Sequence, residues 1–468
     1  MRKYILALTL IISSFVIHAQ IYITNTNVID VINLKIDPNK TVVIENDKIA
    51  KVDKAAKIKI PANATVIDGR GKYLIPGFVD AHVHFFQSSG LYTRPDVIDL
   101  RKYKPYDKEL LWTHQNMEDF LTRYVAAGIT TVIDPGSSIS FLKQRDSFRT
   151  KTFTPNIFMT GPLLTTYEPQ AFKGLNEDEP FFEMKSEDDA RKYVQKELPY
   201  KPDFIKIWYI VREKNLDSGA RAYEHLVKAV IDEAHKNNLK VAVHATQRIT
   251  AQLAVEDGAD YLVHSIDNEI INDDFIQLLK KHHVVLCPTL QVMDNYVLVF
   301  AQQYHPSETD KALASPIALN SLFDLQHIPD TALANQYKMR GIAALKRFAT
   351  ADSNMLVNLK KLIDAGVIIA TGTDAGNIGT MHSSSYFTEI QKMKQAGMTV
   401  PQILQASTIN GAKVLKKENE FGSIEKGKDA DMVLLNANPL DDLANWRKIF
   451  LVINKGEVIK PDVLLNAK

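Results

Sequence analysis

The chain has 468 residues, a formal net charge of +1, and nearly equal numbers of basic and acidic side chains, 56 and 55. That balance leaves no electrostatic footprint for nucleic acid or an anionic membrane surface. Cys287 is the only cysteine, which excludes an intrachain disulfide and a cysteine-based metal cluster.

Residues 1–19 read as a secretory signal peptide: Arg2 and Lys3, an apolar run from Tyr4 to Ile17, then His18-Ala19-Gln20. Ala19 suits the residue before a cut, while Ile17 is larger than the small residue preferred there, so the exact cleavage site stays open. The run is short of the roughly 20 residues a membrane span needs, and no cysteine follows it to carry a lipid. Export to a periplasm or the exterior is therefore expected, with no stable span after cleavage.

From 21 to 67 the chain alternates as short strands, at 21–23, 41–44, 49–52 and 65–67. The same texture returns at 430–435 and 450–456. Neither end can bury a core alone, so the two are expected to join in one small β domain, 20–74 with 416–468.

Between them the pattern becomes strand-helix alternation. Strands are expected at 79–84, 130–134, 157–160, 204–208, 240–244, 261–264, 284–287 and 367–371, with helices such as 117–127, 186–198, 223–237 and 354–365 between them. Eight βα units predict an α/β fold, a (β/α)8 TIM barrel over 75–415, with catalytic groups where strands end. The stretch 290–352 is too long for a plain connection and reads as a helical insertion, a lid or pocket wall.

The first of these strands ends in His82-Val83-His84. Side chains two apart on a strand share a face, so both imidazoles can hold one metal ion, although a histidine pair satisfied by backbone would look the same. The other expected strand ends carry Lys206, His244, His264 and, in Thr371-Gly372-Thr373-Asp374, Asp374. Six ligand-type residues at one end of different strands point to a shared concave site.

These motifs resemble the amidohydrolase superfamily, in the branch with imidazolonepropionase-like proteins and Xaa-Pro and related dipeptidases. The resemblance runs from about residue 21 to 457. It rests on Pro76-Gly77-Phe78-Val79-Asp80-Ala81-His82-Val83-His84, on Gly128-Ile129-Thr130-Thr131-Val132, and on Thr371-Gly372-Thr373-Asp374-Ala375-Gly376. The segment 422–431 is similar to the family's return into a composite β-sandwich. The resemblance implies a first metal on His82, His84 and Asp374 and a second on His244 and His264. It also implies a carboxylated Lys206 bridging two zinc ions. With Lys206 unmodified, one ion is expected, and His264 polarises the substrate carbonyl. Asp374 is implied as the group that takes a proton from metal-activated hydroxide and passes it to the leaving amine.

The expected activity is hydrolysis of C–N amide bonds in small molecules or short peptides, Xaa-Pro-like dipeptides or N-acyl amino acids. A cyclic-amide hydrolase is the enzymatic alternative, and a catalytically silent metal- or ligand-binding barrel the non-enzymatic one; a homo-oligomer stays open. His382, Arg212, Arg248 and Tyr209 are the candidate substrate contacts, the arginines as carboxylate forks, and Trp208 is a candidate pocket wall. Where many relatives carry Gly-Gly-His after the third strand, this chain has Thr165-Thr166-Tyr167-Glu168-Pro169.

Overall fold

A computed structural model describes residues 20–466, so the expected signal peptide lies outside the described residues. Among the described residues no helix is long and apolar enough to cross a membrane.

Strands from both chain ends meet in one eight-stranded sheet. Ile21–Asp30 pairs antiparallel with Lys35–Glu45 and parallel with Tyr73–Pro76, placing Val28 opposite Leu74. Met432–Leu435 from the far end runs antiparallel to Tyr73–Pro76, with Met432 opposite Pro76. Alternate positions on these strands bury one apolar cluster, including Ile23, Val42, Leu74, Met432, Leu434 and Ile453. The pairing gives a single sheet, without the two separately bonded layers of a sandwich.

The central segment is a mixed α/β fold whose parallel strands form two sheets. Phe78–Asp80, Ile129–Asp134 and Asn156–Met159 make the first. The second runs Phe181–Glu183, Leu163–Thr165, Ile205–Trp208, Val241–His244, Tyr261–Val263, Val285–Cys287. Inward-facing Val79, Ala81, Ile133, Ala242, Val263 and Cys287 are packed together between them. The expected closed ladder of eight strands is not formed, for two local reasons.

On one side, residues 367–371 contribute only an isolated bridge, Ile369 with Leu286. Backbone bonds still tie this segment to both neighbours: Ala370 N donates to Leu286 O and Ala81 N to Thr371 O, each at 2.9 Å. On the other side, the expected third strand forms at Asn156–Met159 and pairs with Ile129–Asp134, but the ladder breaks at Thr160-Gly161-Pro162, and a separate strand, Leu163–Thr165, pairs with Ile205–Trp208. Pro162 has no N–H to donate to a ladder. Carboxylates fill the gap: Asp203 Oδ2 accepts from Met159 N at 2.9 Å, and Glu197 Oε2 accepts from Gly161 N at 3.0 Å and Thr160 Oγ1 at 3.1 Å.

Glu197 yields a pH prediction. Burial pushes its carboxyl from 4.5 up to about 8, against the hydrogen bonds from Gly161 and Thr160. A carboxyl whose folded pKa is raised contributes fully below its unfolded pKa, and that contribution is lost as pH rises through the folded value. Wild-type stability should therefore fall between about pH 5 and 8 more steeply than that of Glu197→Gln. Denaturant melts of both proteins across this range check it, and parallel pH profiles would assign the slope to other groups.

The stretch 290–352 is helical throughout its main elements: Val292–Phe300, Glu308–Leu313, Pro316–Ser321 and Thr331–Asp364. The last, 34 residues long, runs unbroken into the helix expected to start at 354, because no Gly or Pro interrupts it there.

Candidate metal site

Phe78–Asp80 ends two residues short of His82, and His82-Val83-His84 follows it as an extended tail bridged at Val83 to Ala375. The turn bearing Asp374 is stapled onto that tail. Thr373 donates from its N and Oγ1 to the Asp80 carboxyl at 3.0 and 2.8 Å, and Asp374 N donates to His82 O at 2.7 Å. Burial pushes Asp80 up to about 7 despite these bonds. Gly372 makes the close approach feasible: a Cβ there would lie 2.5 Å from Cys287 Sγ and 2.7 Å from His82 N. Asp374, His264 and Thr289 have positive φ, at 59°, 81° and 47°, a conformation that surrounding structure must enforce on non-glycine residues.

The ligand-type atoms converge. His82 Nε2 and His84 Nε2 are 3.2 Å apart, and they lie 3.3 and 3.1 Å from Asp374 Oδ1. All three residues offer an atom within 4.8 Å of the others. His84 Nδ1 faces the Gly136 carbonyl at 2.7 Å; a carbonyl only accepts, so Nδ1 carries a proton and Nε2 is the ring atom turned toward Asp374. Asp134 Oδ1 stands 3.4 Å from the same Nδ1, an outer partner that orients the ring.

Beside this trio, the His244 and His264 rings have centroids 4.2 Å apart, and His264 is 5.0 Å from His82. His264 Nδ1 and Thr289 Oγ1 are 2.7 Å apart, which fixes the ring. Lys206, 1% exposed on Ile205–Trp208, has no carboxylate within ion-pair distance among the described residues. Burial brings its amine down to about 7. His82, His244 and His264 are held well below the ordinary imidazole value, first by burial and then by neighbouring charge from Lys206 or other imidazoles. His84 goes the other way. Burial opposes its charge, yet Asp134 and Asp374 push it up to about 9. For Asp374, burial is outweighed by His84, His264 and Lys206, and the carboxyl stays below its ordinary range.

This donor set fits a divalent ion such as zinc. Asp374 Oδ1 is buried without a hydrogen-bond partner although two imidazole nitrogens point at it. Two imidazole nitrogens and one carboxylate oxygen aimed at a common point could hold a cation, which would take the place of the proton on His84 Nε2.

A cavity of about 800 Å³ opens onto the centre, lined by His84, Lys206, His244, His264 and Asp374, with Trp208 on its wall. His82 lies beneath it, fully buried. The four candidate substrate contacts are not among the lining residues. His382 is sandwiched between Phe85 and Phe120, and its Nε2 donates to Gln87 O at 2.9 Å. Tyr209 is buried, donating to Ala220 O; Arg212 is exposed and stacks over Tyr167; Arg248 pairs with Glu269 at 3.1 Å. Asp80, Asp134, Thr289 and the cavity-lining Arg94 are the site residues that sequence reasoning missed. The available signal was a carboxylate two residues before His82, Asp80, and one at the end of the expected strand 130–134, Asp134. Arg94 and Thr289 sit in loops with none.

The profile of the amidohydrolase family matches residues 73–460. Guanine deaminase of Escherichia coli (strain K12) is 25% identical over 418 residues, 85% of this chain and 81% of that protein. An imidazolonepropionase of Bacteroides fragilis is 23% identical over 375 residues, 79% of this chain and 78% of that protein. Among solved structures, a Xaa-Pro dipeptidase with bound methionine in its active site superposes with a TM-score of 0.71. It shares 20% identity and covers 94% of this chain and 100% of its own.

Proposed function

The chain belongs to the amidohydrolase family and is a hydrolase acting on carbon–nitrogen bonds, and on that premise we propose that it is an exported, zinc-dependent enzyme cleaving amide bonds of Xaa-Pro-like dipeptides or N-acyl amino acids. The observation that carries this reading is the buried Asp374 carboxylate facing two imidazoles on one side, with His244, His264 and Lys206 around the same cavity.

In this reading His82, His84 and Asp374 would hold one zinc and His244 and His264 a second, with Lys206, as a carbamate, supplying an anionic ligand to the pair. A neutral buried amine adds carbon dioxide, forming an N–C bond and releasing one proton; the product is an anionic, two-oxygen ligand, which an ammonium is not. Bound zinc would supply hydroxide near neutral pH from water and draw charge from the scissile carbonyl. Asp374 takes the proton from the attacking water and delivers it to the leaving amine. His84, oriented by Gly136 and Asp134, and His264, oriented by Thr289, keep their lone pairs aimed inward. Without the carbamate, one ion remains and His264 polarises the carbonyl. The two parallel sheets are read as a (β/α)8 barrel over 75–415. Residues 290–352 form its lid, and the terminal sheet, 20–74 with 416–468, is the composite β domain.

Protein produced with zinc and bicarbonate should turn over Xaa-Pro dipeptides or N-acyl amino acids in a panel that also holds cyclic amides. Turnover of cyclic amides alone would move the assignment to an imidazolonepropionase-like reaction. Zinc binding with no hydrolysis at all would leave a silent barrel.

A further inference from the structure

Thr331–Asp364 presents one stripe to the cavity: Tyr337, Arg340, Ala344, Arg347, Ala351 and Met355, three or four residues apart. Gly341 lets this helix press onto its neighbour, since a Cβ there would lie 2.3 Å from Ala301 N. The stripe is apolar except for its two arginines. Of the basic residues on this helix, Lys338, Lys346, Lys360 and Lys361 are not in the cavity lining.

Neither Arg340 nor Arg347 has an ion pair or hydrogen bond among the described residues; each only leans on an aromatic ring of the same helix, Tyr337 at 5.5 Å and Phe348 at 5.1 Å. No acidic residue occurs from Thr331 to Ala351 to serve as a partner. The other cavity cations differ in this respect. Arg94 is bound to Asp96 at 2.7 Å, and Lys206 belongs to the metal centre. The carboxyls lining the cavity are likewise placed elsewhere: Asp374 at the metal centre, Asp267 in the loop after His264, and Asp352 against Asp294.

The position of the arginines sets a length. Asn354 Nδ2 donates to Asp267 O and Asn358 Nδ2 to Ile266 O, both at 2.9 Å, so the Met355 end is anchored to the loop just beyond His264. At about 1.5 Å per residue, Arg347 lies about 12 Å and Arg340 about 22 Å farther along the helix axis. A carboxylate two bonds from the scissile nitrogen stays beside the metal centre, whereas these arginines begin about two helical turns beyond the anchored end.

We propose that, within the N-acyl amino acid class, the substrate carries an elongated apolar acyl chain with a remote terminal carboxylate, which Arg340 and Arg347 receive at the outer end of the cavity while the amide sits at the metal centre. The planar guanidinium fork matches a carboxylate, and the apolar stripe covers the chain between the two ends. This rests on the metal reading above, and its test separates the two.

The probes are half-hydroxamates of succinic, suberic and dodecanedioic acids and their methyl esters, titrated calorimetrically into the zinc-loaded protein. The hydroxamate engages the metal and the free carboxylate reports on the arginines. The dodecanedioic acid form should bind about tenfold tighter than its ester, the succinic form should show no such preference, and Arg340→Gln/Arg347→Gln should erase the difference. Equal binding of acid and ester at every length, in a protein that binds hydroxamates, would overturn this proposal and leave the metal reading standing. No hydroxamate binding at all would overturn both.

Discussion

Asp374→Asn is expected to lower kcat by about 10²- to 10⁴-fold while the protein keeps most of its metal. The substitution preserves shape and one oxygen donor, and asparagine tolerates the left-handed backbone that residue 374 adopts at φ 59°. The turn is also held independently of the side chain, by Asp374 N on His82 O and Thr373 on Asp80. What is lost is the anion that accepts a proton. In the wild type His84 above all holds that carboxyl below its ordinary range, so it is the ionised form that faces the site at neutral pH. Steady-state kinetics with metal analysis of the same preparation check this. Near-normal turnover in the variant would remove Asp374 from proton transfer.

Lys206→Ala should reduce metal content from two ions per chain to one or none. An amine 1% exposed with no acid at ion-pair distance is poorly placed as an ammonium, and its neutral form is the one that adds carbon dioxide. Removing it leaves His244 and His264 as two neutral donors with no anionic ligand, too few to retain an ion tightly at a site that needs about four. Elemental analysis of both proteins, produced with zinc and bicarbonate, decides the point. One ion in each would make Lys206 a structural residue and direct substrate screening to cyclic amides.

Much of the gathering of ligand-type side chains could be read from sequence, because a parallel α/β segment places strand ends on one rim. His84, Lys206, His244, His264 and Asp374 duly line one cavity. Residues whose environment depends on distant packing were not legible. His382 follows Asp374 closely in sequence, yet two phenylalanines from other elements enclose it, and burial brings it down to about 4. Arg340 and Arg347 sit mid-helix and stay exposed like any solvated arginine, and only the fold sets them on the rim of the cavity. The ladder break at Pro162 is not legible locally, because the carboxylates that accept from its free backbone donors, Glu197 and Asp203, arrive from later elements. Likewise Leu163–Thr165 and Phe181–Glu183 are three residues each, too short to show alternation. The boundary expected at 352, between the insertion and the helix from 354, falls inside one unbroken helix, Thr331–Asp364.

The central claim is that C–N hydrolysis here depends on metal held by His82, His84 and Asp374. Its most direct test is the rate on whichever amide the panel identifies, measured on protein as purified, after chelation, and after zinc is restored. The rate should fall to background on stripping and return in proportion to the ions rebound. Full activity in the stripped protein would contradict the account.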